Sequence, residues 1–394
     1  MSGPLSGLKV LDLTRVLAGP FCTMLLCDLG ATVIKVERPV TGDDSRSFGP
    51  MVNGESAYFM SINRGKKGIT LNLKRARGRE ILLELAARSD ILVENFRPGT
   101  MERLGLGYER LKEKNPALIY ASSSGFGHFG PLKERTAYDI VIQGMSGMMS
   151  ITGPDEENQS KVGSSIADIL CGIFTALAIT AALNSRRETG RGQYIDVAML
   201  DCMISVLENA ILRYSVTGEI PRPLGNRHAS IAPFGTFECL DGKINIGVGN
   251  DQLWKTFCRV LSMEEHEKDE RFSKNTSRAE NVNELTKIIN EKLSVKTVDE
   301  WLRIFEREGI PAGKICTIAD LFENPQVIAR EMIVNLSVGE RKIGMAGNPL
   351  KFSETPANTG VPAPRLGEHT EEILRGLLGM ESDEIEKLRR EGII

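Results

Sequence analysis

Hydrophobic residues follow two spacings along the first half of the chain. Short apolar runs at 8–13, 32–36, 69–73, 91–93, 118–121 and 194–197 have the length and β-branched content of buried strands. Helical patterns lie between them. Residues 21–29 follow Gly19-Pro20 and stop at Gly30, the usual punctuation of a helix start and end. Residues 77–88 place Ile81, Leu82, Leu85 and Ala86 on one stripe. Strand–helix–strand alternation predicts an α/β fold with a parallel sheet covered by helices. A long apolar helix is expected at 169–183 and another at about 199–216.

The pattern changes near Gly218. Residues 220–233 hold three prolines and read as a linker. Residues 236–239 and 243–248 predict a hairpin turning at Asp241-Gly242. Helical spacing follows at 251–261, 279–293 and 298–308. The tail predicts a strand pair and two short helices with no core of their own, so it should pack back on the first domain. The expected division is a large domain at 1–217, a smaller α+β domain at 218–329, and a return to the large domain at 330–394. No internal repeat, heptad run or low-complexity tract interrupts it.

Composition narrows the function. The 394 residues carry 49 Lys+Arg against 52 Asp+Glu, a net charge of −3. Such a balance lacks the basic excess that duplex nucleic acid requires, yet a few arginines suffice for a small anion. The apolar stretch 169–183 is shorter than a membrane span and contains Cys171, Gly172, Thr175 and Thr180, so no membrane partner is expected. Seven scattered cysteines show no zinc-ligand spacing or paired framework, which suits a reducing cytoplasm. The N-terminus has no charged segment followed by an apolar one, so no signal peptide is expected.

Two stretches carry candidate chemistry. Gly125-Phe126-Gly127-His128-Phe129-Gly130 has the spacing of a dinucleotide fingerprint, but Pro131 follows and no helix opens there. It reads instead as a mobile glycine loop beyond a strand end, where open α/β sheets place ligands. Asp168 follows Ser164-Ser165-Ile166-Ala167 at the start of the apolar helix. One role for it is a plain N-cap. The other is a carboxylate nucleophile, kept ionised by the helix N-terminus and approached past small neighbours.

Several stretches in order resemble family III CoA-transferases, the CaiB/BaiF family. They are Leu8 to Thr14 followed by Ala18-Gly19-Pro20, Leu29 to Glu37, Val93 to Gly99, Gly125 to Pro131, Asp168 in its setting, and Thr189 to Gln193. Thr14 to Pro20, Asp43-Asp44 and Gly247 to Asn250 are most similar to the branch that includes succinate–hydroxymethylglutarate CoA-transferases. The resemblance implies a Rossmann-like large domain and an interlocked homodimer. It implies acyl-CoA and a small carboxylic acid as substrates, with CoA as co-substrate and no metal or bound cofactor. Asp168 would form an aspartyl anhydride and then an aspartyl-CoA thioester. The CoA contacts it implies are Leu17, Ala18, Arg38, Leu71, Asn95, Phe96, Arg97, Arg103, Thr136, Tyr138 and Asp139, with Lys74 and Arg75 as nearby basic candidates. Gly247 and Gly249 match a loop that covers the active site in the family. One member has a longer glycine run, whereas this chain has two glycines there, so a simple turn is the competing reading.

Two alternatives stay open. The related α-methylacyl-CoA racemases pair an aspartate with a histidine in Gly-His-Asp, where this chain has Ala137-Tyr138-Asp139. Tyrosine, with a pKa of about 10, is a poor base at neutral pH. A CoA-binding protein without catalysis is the other, with Asp168 as a cap only. The acyl groups are expected to be short or dicarboxylic, with Arg15 or Arg227 as candidates for a second carboxylate.

Overall fold

The computed structural model describes residues 3–394, which divide into two units. One comprises the chain up to Met148, Lys161–Thr217 and Pro325–Ile394; the other comprises Met149–Ser160 and Gly218–Asn324. Membership of 149–160 in the second unit has no sequence signal, because that polar stretch carries no hydrophobic period.

The first unit is built on six parallel strands: β1 (Lys9–Asp12), β2 (Thr32–Glu37), β3 (Lys67–Thr70), β4 (Ile91–Glu94), β5 (Ile119–Ser124) and β6 (Tyr194–Ala198). Their order in space is β3-β2-β1-β4-β5-β6. The chain therefore builds outward from β1 in one direction, returns, and builds outward in the other. Connections leave β1 and β4 on opposite sides, which opens a crevice at their carboxyl ends.

Alternation along the strands sorts side chains into two layers. Leu11, Ile34, Ile69, Leu92 and Tyr120 share a core with Ile81, Leu82 and Leu85 of helix α2 (Ala76–Ala86). Ile373, Leu374, Ile385 and Leu388 of the C-terminal helices complete that core. Val10, Val33, Ile91, Val93, Ile119 and Ala121 face the other way. They meet Cys22 and Leu26 of helix α1 (Ala18–Asp28), and Ile179, Ala182 and Leu183 of helix α4 (Ile166–Thr189). Gly172 of α4 lets the two helices touch: a Cβ there would lie 2.7 Å from the Ala18 carbonyl oxygen. The C-terminal tail closes on the sheet edge, where Asn72 N–H donates to the Ile393 carbonyl at 2.7 Å.

Several elements differ from their sequence patterns. Helix α4 runs 24 residues, longer than the apolar stretch 169–183, because 166–168 and the polar end 184–189 also take helical backbone. By length and composition it could cross a membrane; here one side packs into the sheet core while Ile173 and Leu177 face outward. The helix expected at 199–216 is two, Met199–Ser205 and Ala210–Thr217, parted by Glu208 at φ 54°. Apolar spacing continues across that break and does not mark it. The helix expected at 279–293 is also divided, at Asn281 between Asn275–Glu280 and Val282–Leu293, here at φ −101°.

In the second unit, β7 (Phe234–Glu238), β8 (Lys243–Gly247) and β9 (Ala312–Lys314) form an antiparallel sheet in the order β9-β8-β7. The hairpin loop is four residues, 239–242, rather than two. Asp241 is drawn away to accept the Val298 N–H at 2.8 Å, at the start of the helix Val298–Glu308. Trp254, Phe257, Ile289, Leu293, Trp301 and Phe305 fill the core of this unit.

Candidate active site

Two cavities sit at the carboxyl ends of the parallel strands. The smaller holds about 240 Å³ and is lined by 15–18 after β1, 95–98 after β4 and 123–125 at the end of β5. Asp44, Lys133, residues 135–138, Asp168 and Met199 complete it. The larger holds about 650 Å³ and is lined by 13–15, 36–43 and 71–74, with Phe96, Thr100 and Leu104 among the rest. Arg15 and Phe96 belong to both walls.

Asp168 is the third residue of α4, not its cap. Capping falls to Asp139, the first residue of helix α3 (Asp139–Met145). The buried Asp139 carboxylate accepts the Ala167 N–H at 2.9 Å and Gln143 Nε2–H at 2.7 Å. The Asp168 side chain has no hydrogen bond or ion pair among the described residues, so its carboxylate is free toward the cavity. Burial, with the Asp139 carboxylate adding to it, pushes Asp168 up to about 7. The helix N-terminus was expected to keep it ionised at neutral pH; burial and the like charge of Asp139 work against that. Burial and the charges of Asp168, Asp43 and Asp139 push the Tyr58 phenol up to about 12.

The turn that carries Arg15 to Leu17 is held from several sides. Val16 has φ 66°, a strained conformation for a β-branched residue. Its N–H donates to Asp43 Oδ1 at 3.1 Å. Asp43 is buried and paired with buried Lys35 at 2.9 Å. Burial would raise Asp43, but Lys35 and the N–H groups of Ser45 and Val16 hold it down to about 2. Asn95 brackets Arg15, accepting its N–H at 2.9 Å and donating to its carbonyl at 2.8 Å. That bracket ties the end of β1 to the end of β4 across the crevice. Helix α1 then begins at Ala18, which lines the cavity, with no side chain capping it.

The expected contacts divide between the cavities. Leu17, Ala18, Asn95, Phe96, Arg97, Thr136 and Tyr138 share the smaller one with Asp168. Arg38, Leu71 and Lys74 line the larger one with Phe96. Asp139 is engaged in capping and lines neither. Arg103 also lies outside both, donating to Thr100 Oγ1 at 2.9 Å. Tyr138, at the position where the racemases carry histidine, is 76% exposed. Gly247 and Gly249 line a separate cavity of about 760 Å³ within the second unit, with Phe234 and Leu253. His228 accepts two backbone N–H groups of its own turn, from Ser230 and Ile231.

The fingerprint-like stretch opens no helix, and the chain stays irregular until Asp139. It is tied down rather than loose. Gly127 N–H donates to Ser124 Oγ and His128 N–H to Asp196 Oδ2. His128 Nε2 lies 2.6 Å from the Ser122 hydroxyl, which donates to buried Glu94. Sequence reasoning missed the roles of Asp43, Asp44, Lys133, Arg135 and Met199. Asp43-Asp44 entered only as a stretch resembling the family branch, which assigned it no role, and Lys133, Arg135 and Met199 carry no specific pattern.

Comparison with known proteins places these features in a family. The sequence profile of CoA-transferase family III matches residues 5–370. Succinyl-CoA:glutarate CoA-transferase of Mus musculus is 41% identical over 395 residues, covering 99% of this chain and 90% of that protein. Acetyl-CoA:oxalate CoA-transferase of Acetobacter aceti is 45% identical over 368 residues, covering 93% and 94%. The crystal structure of a CaiB/BaiF family protein from Brucella suis superposes with a TM-score of 0.85 at 42% identity, covering 96% of this chain and all of that one.

Proposed function

The chain belongs to CoA-transferase family III, and on that basis we propose that it moves CoA from an acyl-CoA thioester to a free dicarboxylic acid through Asp168. Relatives named for succinyl, glutarate and oxalate groups support the dicarboxylic class. The observation that carries the role of Asp168 is an unpartnered carboxylate in the first turn of α4, facing a cavity, with the cap supplied by another residue.

The reaction runs in four exchanges with no net proton. An Asp168 oxygen attacks the thioester carbonyl; the C–S bond breaks and CoA thiolate leaves, giving a mixed anhydride. The thiolate attacks the aspartyl carbonyl and expels the donor acid as its carboxylate, giving an aspartyl-CoA thioester. The acceptor carboxylate attacks that thioester and releases the thiolate again. The thiolate then takes the acceptor acyl group, and the Asp168 carboxylate departs unchanged. Thiol pKa values of about 8.5 against about 4 for a carboxylate place each anhydride uphill. The released thiolate must therefore stay close and water must stay out. Leu17, Phe96 and Met199 supply apolar wall for that purpose. The N–H of Ala18, which lines the cavity and has no side-chain cap, is assigned to the oxyanion of each tetrahedral state. The larger cavity, with Arg38 and Lys74, takes the phosphate-bearing end of CoA.

Hydroxylamine added during turnover tests the covalent step. Peptide mapping should find a hydroxamate on Asp168 only when acyl-CoA is present. An unmarked Asp168 with active enzyme would refute the assignment.

A pH profile follows from the same carboxylate. Only its ionised form attacks, so kcat/KM should fall about tenfold per pH unit below about 7 and level off above it. Asp139→Asn keeps an acceptor for the Ala167 N–H but removes the like charge. Its acid limb should move to lower pH; an unmoved limb would mean that Asp139 does not act on Asp168.

A further inference from the structure

Four cations line the small cavity: Arg15, Arg97, Lys133 and Arg135. Arg97, Lys133 and Arg135 are exposed, whereas Arg15 is only half-exposed. Its backbone is bracketed by Asn95, and its guanidinium lies 5.9 Å from the centre of the Phe96 ring. Nη1 reaches Asp44 Oδ2 at 3.2 Å, while Nε and Nη2 have no acceptor among the described residues. The other Asp44 oxygen is held by Arg38 Nη2 at 2.5 Å. Arg15 is therefore a positioned guanidinium with spare donors, already holding one carboxylate at the wall it shares with Asp168.

We propose that Arg15 binds the distal carboxylate of the dicarboxylic substrate, with Asp44 occupying part of that guanidinium until the acid arrives. This reading rests on the transferase function proposed above. A cavity of about 240 Å³ suits a short acyl group between the two ends. A diacid bound through one carboxylate at Asp168 presents its second one to a fork of donors suited to accept it in pairs. A monocarboxylic acid of the same length leaves Arg15 with Asp44 and gains nothing. Arg227, the other candidate for this contact, belongs to the second unit and donates to Asn283 Oδ1 at 3.0 Å. Asp44 keeps Arg38 as a partner when Arg15 turns to substrate, so no charge is stranded.

The test compares glutarate with valerate as acceptors, and succinate with butyrate, using kcat/KM ratios so that any change in CoA binding cancels. Arg15→Met should lower the diacid-over-monoacid ratio by roughly ten- to a hundred-fold, the scale of losing a charge-assisted pair. Arg15→Lys should recover part of it. Asp44→Asn should raise the ratio, because it removes the competing carboxylate; a merely structural Arg15–Asp44 pair predicts no such opposite sign. A ratio unchanged in Arg15→Met, or moved in the same direction by Asp44→Asn, overturns the proposal while leaving the transferase reading intact. Wild-type enzyme that transfers CoA to none of the four acids, nor to oxalate, refutes both.

Discussion

Asp168→Asn is expected to lower CoA transfer by about 10,000-fold or more while CoA still binds, since loss of a covalent nucleophile removes the only route to the intermediate. The amide has nearly the same shape, so the cavity and the Asp139 cap should persist. Steady-state exchange of labelled CoA measures the first effect, and calorimetric titration with CoA the second. Transfer near the wild-type rate would return Asp168 to a structural role. Stability offers an independent check with a worked sign. The folded carboxyl is raised to about 7 from an ordinary value of about 4, so its ionisation destabilises the fold as pH rises between those values. Asparagine carries no such cost. The variant should match wild type in stability at pH 4 and exceed it at pH 8, by on the order of 2 kcal/mol after discounting for solvent in the cavity. Urea midpoints at the two pH values would read the difference.

Lys66→Met should produce the largest loss of stability, about 3–5 kcal/mol, because it strands a buried carboxylate. The Lys66 ammonium is fully buried beneath the β1–α1 turn. It lies 2.9 Å from Asp12 Oδ2, 2.7 Å from Thr23 Oγ1, 2.8 Å from Asn63 Oδ1 and 3.1 Å from the Pro20 carbonyl. Without it, Asp12 keeps Thr14 and Thr23 as donors but no direct cation. Burial would raise Asp12, yet Lys66 and Lys35 draw it below the usual carboxylate range. Its stabilising contribution is therefore present above about pH 4 and is lost on acidification through the lowered folded pKa. The gap between wild type and Lys66→Met should narrow as pH falls below about 4. Adding Asp12→Asn to Lys66→Met should recover much of the loss, since no charge then remains unpaired. Equal urea midpoints for wild type and the single variant would show that the pair carries no net weight.

What the sequence determined by itself was local. Apolar runs located β1, β2, β4, β5 and β6 to within a few residues, because burial on both sheet faces demands continuous hydrophobic stretches. Pro131 after the glycine series argued against a dinucleotide fingerprint there. The order of short motifs from Leu8 to Gln193 carried the family, and with it the candidacy of Asp168. Element ends were less legible: Glu208 and Asn281 interrupt helices whose apolar spacing runs straight through.

Only the tertiary structure decided which groups satisfy one another. Asp139 caps the helix that bears Asp168 from 28 residues away, measured to Ala167, and this leaves the catalytic candidate unpartnered. Asn95 brackets Arg15 from 80 residues away, and Lys66 reaches Asp12 across 54. Arg38 and Leu71 proved to line a different cavity from Asp168, joined to it through Arg15 and Phe96. The physical reason is range. Helix and strand formation depend on hydrogen bonds and side-chain faces within a few residues of one another. The desolvation and charge that set a carboxyl at about 7 arise where distant segments meet, and strand order brings those segments together.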